Sequence, residues 1–120
     1  MEKVRWGFIG AGYIARIALY PALLNSEVGE IYAVGSKDLE RGKSLSPTGL
    51  VYTDYEQLLA DPKVEAIYIS LPNSLHIEWS IKAMRAGKHV LCEKPAAMDV
   101  AELKEAISVA NETGLIFMEA

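Results

Sequence analysis

Two glycines near the start of the chain belong to a pattern that can hold a phosphate. The pattern is G-x-G-x-x-A, and its residues are Gly10, Ala11, Gly12, Tyr13, Ile14 and Ala15. In such a turn Gly10 allows a tight bend, Gly12 leaves room for a pyrophosphate, and the small Ala15 lets a helix pack on a strand. The amides of the helix N-terminus would hold the phosphates. The pattern favours a dinucleotide site over a glycine turn that serves packing alone.

The end of the second apolar run indicates which dinucleotide the site prefers. A fold that prefers NAD places Asp or Glu there, about 20 residues after the glycines, to bind the ribose 2′-hydroxyl. This chain has Ser36 and Lys37 instead, and Arg41 follows one helical turn later. These groups suit a 2′-phosphate, so NADP is predicted over NAD. The alternative is a solvated helix start, since Asp38 and Glu40 lie beside the two cations.

Apolar runs alternate with helical patterns along the whole chain. The runs predict six strands, over 4–9, 30–35, 50–52, 64–71, 89–92 and 115–119. Helices are predicted over 13–24, 38–44, 55–60 and 75–86, and between 99 and 114. Pro21 should kink or restart the first helix. Capping boxes are predicted for Thr53 with Glu56 and for Asp99 with Glu102. The predicted apolar face of the last helix consists of Leu103, Ile107 and Ala110.

The strand patterns indicate the fold class. They are apolar runs without clean alternation, which is typical of strands buried on both faces. Strands and helices in alternation then predict an α/β fold, with helices on both sides of a mainly parallel sheet. We therefore expect a six-stranded, doubly wound Rossmann dinucleotide-binding fold over residues 1–120.

Composition excludes several classes of protein. The 120 residues carry a net charge of −4 with scattered basic residues, which argues against a nucleic-acid partner. No apolar run approaches the roughly 18 residues of a membrane span, and the N-terminus does not resemble a signal peptide. With one cysteine and two histidines, neither an internal disulfide nor a Cys/His metal cluster is expected. The lone thiol favours the cytoplasm.

Two further polar stretches follow predicted strands, where doubly wound sheets bind ligands. They run from Ser70 to His76 and from Cys92 to Pro95. With them, the whole chain resembles the Gfo/Idh/MocA family of glucose-fructose oxidoreductases and inositol dehydrogenases, and within it the dihydrodiol dehydrogenases. The motifs that carry the resemblance are the glycine turn, Pro72-Asn73 with His76, Ala86-Gly87-Lys88-His89-Val90, and Glu93-Lys94-Pro95.

The resemblance implies a two-domain NAD(P)-dependent oxidoreductase that transfers a hydride to or from sugars, inositols or related hydroxy compounds. A second domain beyond Ala120 would hold the substrate and form a homo-oligomer. Since the chain closes on an apolar strand without a tail, we expect the first domain of a longer protein, inactive by itself. The alternative is a small complete domain with an edge strand.

The resemblance also assigns roles to particular residues. Lys94 would reach the reacting oxygen, and Glu93 would position Lys94 and the nicotinamide. The resemblance also implies a cis peptide bond before Pro95. Cofactor contacts are expected along the stretch after the fourth strand, at Leu71, Pro72, Asn73 and His76. Pro72 and Asn73 could instead form only a turn and a helix cap. For His76 the favoured interpretation is an ordinary residue in the first turn of a helix, without a cofactor contact.

Lysine chemistry fits this assignment. Oxidation of an alcohol releases a proton, and a shielded lysine beside a cationic nicotinamide has its pKa lowered toward neutral pH. Without the resemblance, an exposed lysine at a strand end is an equally good interpretation of Lys94. Three other functions stay open: a non-catalytic nucleotide sensor, a methyltransferase, and a purely structural domain. A methyltransferase would have an acidic residue where Ser36 stands.

Overall fold

A six-stranded parallel sheet forms the centre of the computed structural model, which describes residues 2–120. Its strands are β1 (Val4–Ile9), β2 (Gly29–Gly35), β3 (Val51–Tyr52), β4 (Ala66–Ile69), β5 (His89–Cys92) and β6 (Phe117–Glu119). Their spatial order is β3-β2-β1-β4-β5-β6, and every neighbouring pair is parallel. The chain reverses direction across the sheet between β1 and β4, which opens a crevice at the carboxyl ends of these two strands. The predicted six-stranded Rossmann fold is confirmed.

Helices cover both faces of the sheet. They are α1 (Tyr20–Leu24), α2 (Leu39–Lys43), α3 (Tyr55–Leu59), α4 (His76–Arg85) and α5 (Val100–Thr113). One core cluster joins α3, α4 and α5 to the strands through residues such as Leu58, Met84 and Val109. The second cluster, on the other face, contains Phe8 and Tyr68 and lies under the first helical segment. No helix among residues 2–120 is long and apolar enough to cross a membrane.

The first helical segment changes its winding before a proline. Residues Ala15–Leu19 form a π-helical turn in which the Tyr20 amide donates to the Ala15 carbonyl. Pro21 follows in the first turn of α1, where its missing amide is tolerated. The winding thus changes from π-helical to α-helical just before Pro21, and the chain stays helical through the proline. This agrees with the prediction that the helix restarts at Pro21.

Two local predictions need correction. The carboxylate of Asp54, not the hydroxyl of Thr53, caps α3 by accepting from the Glu56 amide. In α5 the buried positions are Ala106 and Val109, whereas Ile107 is 46% exposed. Because successive residues are about 100° apart around a helix, Ile107 lies to the side of the face that Ala106 and Val109 bury. The cap at the start of α5 is confirmed, since Asp99 accepts from the Glu102 amide.

Candidate functional site

The two positions of the first turn, 10 and 12, are occupied by glycine for different structural reasons. Gly10 has a φ of +93°, and a Cβ there would lie 2.7 Å from the Ser70 carbonyl oxygen, so the fold itself requires glycine. At Gly12 a Cβ would meet only that same oxygen, at an ordinary 3.7 Å. Folding therefore leaves space above Gly12 that a side chain could fill. This open backbone fits a group that must approach closely, as a pyrophosphate does.

Three separate segments meet in one cleft beside this turn. The cleft has a volume of about 320 Å³. It is lined by Gly10, Ala11, Gly12, Ser36, Lys37, Asp38, Arg41, Tyr55, Ser70, Leu71 and Pro72. The structure therefore brings the glycine turn, the end of β2 and the stretch after β4 together at the switch point of the sheet.

The remaining predicted contact residues lie around this cleft rather than in its lining. Tyr13 is 70% exposed and Ile14 is 37% exposed at the start of the first helical segment, while Ala15 is fully buried beneath it. Asn73 begins a short 3₁₀ turn that leads into α4. Ala15 thus has the packing role that its small size predicts.

The end of β2 presents positive charge to the cleft. Lys37 and Arg41 are exposed, and the Lys37 Nζ lies 5.0 Å from the centre of the Tyr55 ring. Ser36 is 4% exposed. Its hydroxyl donates to the Asp38 carbonyl at 2.7 Å and accepts from the Asp38 amide. A ribose contact from Ser36 would have to compete with this internal pairing, whereas the side chains of Lys37, Arg41 and Asp38 are exposed at the cleft.

Glu93, Lys94 and Pro95 form the loop that leaves β5. The Glu93 amide donates to the Ile69 carbonyl at 3.0 Å, which extends the pairing of β5 with β4 by one residue. The Lys94–Pro95 peptide bond is cis, as the resemblance implies. Lys94 is exposed, and Glu93 is half-buried. The lysine is therefore accessible from the carboxyl end of the sheet, where a ligand would bind.

His76 links the two loops at the edge of the site. Its imidazole is 1% exposed. Nδ1 lies 2.7 Å from the Pro95 carbonyl oxygen, and Nε2 lies 2.8 Å from the Leu71 carbonyl oxygen. The side chain therefore ties the stretch after β4 to the loop after β5 from beneath, instead of facing the open cleft.

Two residues that hold the Glu93–Pro95 loop were missed by sequence reasoning. The Tyr68 hydroxyl donates to Glu93 Oε2 at 2.6 Å. Glu119 Oε2 accepts from the Ala96 amide at 2.8 Å. A tyrosine inside an otherwise apolar strand was the available signal for Tyr68, because a buried phenol needs a partner.

Cys92, directly before this loop, is a buried thiol. Burial raises its pKa to about 11, so it stays protonated near neutral pH and is unsuited to nucleophilic chemistry. Within residues 2–120 no group of three or more metal-ligating side chains comes together. Glu93 and Lys94 directly follow β5, and Lys37 and Arg41 follow β2, so all four lie beyond the carboxyl ends of their strands.

Comparison with known proteins identifies the family. The family model for the NAD-binding Rossmann fold of the Gfo/Idh/MocA oxidoreductases matches residues 4–120. The chain belongs to this family. It is the nicotinamide-dinucleotide-binding Rossmann domain of this oxidoreductase family, and the structure places the glycine turn where such a fold requires it.

Individual members of the family support the assignment. The 1,5-anhydro-D-fructose reductase of Ensifer adhaerens is 42% identical over 115 residues, which make up 93% of this chain and 34% of the reductase. The dihydrodiol dehydrogenases are represented by the trans-1,2-dihydrobenzene-1,2-diol dehydrogenase of Bos taurus. It is 36% identical over 121 residues, 98% of this chain and 36% of the enzyme.

A solved structure shows the same fold in a larger protein. It is KijD10, a 3-ketoreductase from Actinomadura kijaniata, in complex with NADP and TDP-benzene. The two superpose with a TM-score of 0.94 at 38% identity, over 98% of this chain and 37% of that chain. This Gfo/Idh/MocA domain thus spans about a third of the length of the relatives it matches.

Proposed function

We propose that this chain is the nucleotide-binding domain of an NADP-preferring oxidoreductase that acts on a sugar or a related hydroxy compound. The observation that carries the proposal is the contrast between Gly10 and Gly12. The fold requires the first glycine but not the second, whose open backbone faces the cleft. Packing does not explain why residue 12 is a glycine, whereas the close approach of a pyrophosphate to the turn would explain it.

The loop after β5 supplies the acid–base chemistry. A bound nicotinamide accepts or donates the hydride. Lys94 takes the proton of the substrate hydroxyl during oxidation and returns it during reduction. Glu93 keeps a carboxylate beside Lys94 and orients the lysine toward the reacting oxygen. The accessibility of Lys94 and the fixed position of its neighbour support these roles.

Preference for NADP is assigned to the cations at the end of β2. Lys37 and Arg41 line the cleft at the place where the adenosine ribose lies in this fold class. Asp38 also lines the cleft, but its Oδ1 is engaged in capping α2, where it accepts from the Arg41 amide. The NADP held by the homologous KijD10 supports the same preference.

The full-length protein would contain a second domain. We assign substrate contacts and homo-oligomerisation to that domain, because this chain spans only a third of its relatives. Positioning of a substrate can account for roughly 7–11 kcal/mol of barrier lowering, so these 120 residues alone should bind nucleotide without catalysing turnover. The buried, unpaired thiol of Cys92 supports a cytoplasmic location.

Replacement of Gly12 tests the nucleotide site. Gly12→Val should weaken NADPH binding at least tenfold, or about 1.4 kcal/mol, because its branched side chain would occupy the pyrophosphate position. Calorimetric titration of the 120-residue chain measures the affinity. Ala22→Val, exposed in the same helical segment, is the control and should bind as the parent does. A folded Gly12→Val chain with parental affinity would show that the turn is only structural.

Replacement of Arg41 tests the nucleotide preference. Arg41→Ala should weaken NADPH binding by about 10- to 100-fold and leave NADH binding nearly unchanged, because a hydrogen bond to a charged group contributes roughly 1.5–3 kcal/mol. Lys43→Ala is the matched control, since Lys43 lies in the same helix, pairs with Glu40 and does not line the cleft. An unchanged ratio of the NADPH and NADH affinities would refute the assignment of Arg41.

A further inference from the structure

Tyr68 is the only polar side chain within the otherwise apolar β4. This strand lies between β1 and β5, so its residues are surrounded by the sheet on both sides. Tyr68 is fully buried, and its ring packs against Phe8 with ring centres 5.0 Å apart and an interplanar angle of 59°. Phenylalanine would meet these packing contacts equally well, so packing alone does not explain the hydroxyl.

The hydroxyl of Tyr68 reaches the loop that carries Lys94. It donates to Glu93 Oε2 at 2.6 Å, across 25 residues of sequence. Among residues 2–120 no hydrogen bond to the other carboxylate oxygen, Oε1, is formed, so Tyr68 holds one oxygen of Glu93 and leaves the other free to interact with a ligand. His76 and Glu119 hold only backbone atoms of this loop, at Pro95 and Ala96. Tyr68 therefore controls the side chain, and the other two control the backbone.

We propose that Tyr68 is a positioning residue whose hydroxyl orients the Glu93 carboxylate beside Lys94 at the nicotinamide side of the site. The inference rests on the proposed function, because it assigns to Tyr68 an effect exerted through Glu93. The rigid packing of the ring supports it. A phenol that is held by Phe8 and the surrounding strands leaves its hydrogen-bond partner little freedom to rotate.

The protonation state of Tyr68 suits this role. Burial, and then the hydrogen bond to Glu93, raise the pKa of its phenol far above the ordinary value of 10. The phenol consequently keeps its proton throughout the physiological pH range. It acts as a constant donor to Glu93 rather than as a group that exchanges protons with substrate.

A double-mutant cycle in the full-length protein tests the proposal. Tyr68→Phe should lower kcat about tenfold with KM nearly unchanged, because it removes the hydroxyl and keeps the ring. In a Glu93→Gln background the same substitution should have no further effect, since the carboxylate that it orients is gone. Glu93→Asp, whose shorter side chain cannot reach the phenol, should reproduce the loss of Tyr68→Phe.

Tyr52→Phe is the matched control. Tyr52 also donates its hydroxyl to a carboxylate, at 2.9 Å from Asp61 Oδ2, but this pair does not line the cleft. Tyr52→Phe should therefore remove the same kind of hydrogen bond and leave kcat unchanged. If Tyr68→Phe retains parental kcat, or lowers kcat equally with and without Glu93, the proposal is overturned.

Other measurements distinguish this failure from failure of the proposed function. NADPH binding by the parent chain and loss of turnover in Lys94→Ala test the function itself. If the parent chain binds NADPH, Lys94→Ala loses turnover and Tyr68→Phe keeps the parental kcat, only the role proposed for Tyr68 is wrong. If Tyr68→Phe does not fold, Glu93→Asp still decides, because full activity in that variant contradicts any need for the carboxylate at its present position.

Discussion

Two groups of tyrosine, carboxylate and lysine lie at different places in the sheet. In one, Tyr68 donates to Glu93, and the adjacent Lys94 is exposed. In the other, Tyr52 donates to Asp61, and Lys88 donates from its Nζ to the Asp61 carbonyl at 2.7 Å. Glu93 and Lys94 follow β5 at its carboxyl end, whereas Lys88 directly precedes this strand.

The fates of the two lysines show what separates a structural group from a reactive one. Lys88 is 6% exposed, and its ammonium also donates to the Val64 carbonyl at 2.8 Å. Burial lowers the pKa of Lys88, with Asp61 opposing the shift, yet no ligand can reach it. Lys94 lies beside a fixed carboxylate at the open end of the sheet. Both lysines have a tyrosine–carboxylate pair nearby, so accessibility to a ligand is what distinguishes the reactive Lys94 from the structural Lys88.

Removal of the exposed lysine should have the largest effect. In the full-length protein, Lys94→Ala should lower turnover by about 10²–10⁴-fold, which is the usual contribution of general acid–base catalysis. Nucleotide affinity should stay nearly unchanged, because the glycine turn and the cations beside β2 remain. Steady-state kinetics and calorimetric titration measure the two quantities. Near-normal turnover would remove Lys94 from the mechanism and make the two lysine groups equivalent.

Removal of the buried lysine should instead affect stability. Lys88→Met should lower the free energy of unfolding by about 1–3 kcal/mol, since the buried Val64 carbonyl loses its donor and an acceptor left unpaired costs roughly that much. Urea unfolding of the 120-residue chain measures it. Lys43→Met is the control, because Lys43 is exposed and its ion pair with Glu40 lies on the surface, where such pairs contribute little. Equal stability of the two variants would contradict a structural role for Lys88.

The smallest effect concerns the titration of Tyr52. Burial and the hydrogen bond to Asp61 raise its pKa to about 12 from the ordinary 10. A raised pKa in the folded state stabilises the protein fully below pH 10, and this contribution is lost as pH rises toward 12. The free energy of unfolding should therefore fall less steeply over this window in Tyr52→Phe than in the parent.

Urea midpoints collected between pH 9 and about 12 would measure this slope. Both proteins retain Lys88, so its own titration cancels in the comparison. Parallel pH profiles for Tyr52→Phe and the parent would show that folding does not raise the pKa of Tyr52.

Local patterns predicted most of the fold because local physics governs them. Gly10, before a helical pattern and after an apolar run, indicated a turn that the structure builds with a positive φ. Asp99 capped its helix as its side-chain chemistry predicts, and Gly114 ends that helix in a left-handed conformation. Thr53 failed as a cap because Asp54, one residue on, supplies a competing acceptor for the same amide.

The site was predicted less completely, because its contacts join residues that are distant in sequence. The position of His76 in a polar stretch suggested either a ligand contact or an ordinary helix residue. His76 is the first residue of α4, as the favoured interpretation expects, and its two hydrogen bonds connect the loops after β4 and β5. Ser36 was expected to face a ribose, and its hydroxyl is engaged with Asp38. The periodicity that places a residue on a strand does not indicate which partner its polar atom will meet.

The sequence by itself determined the alternation of strands and helices, the turn at Gly10 and Gly12, and the polar loop around Lys94. Each depends on residues within a few positions of one another, where backbone sterics and side-chain size act directly. Only the tertiary structure decided that Tyr68 pairs with Glu93 and that Lys88 is buried. Those outcomes depend on β4 and β5 becoming neighbours in the sheet, which sets distances between residues that the chain keeps far apart.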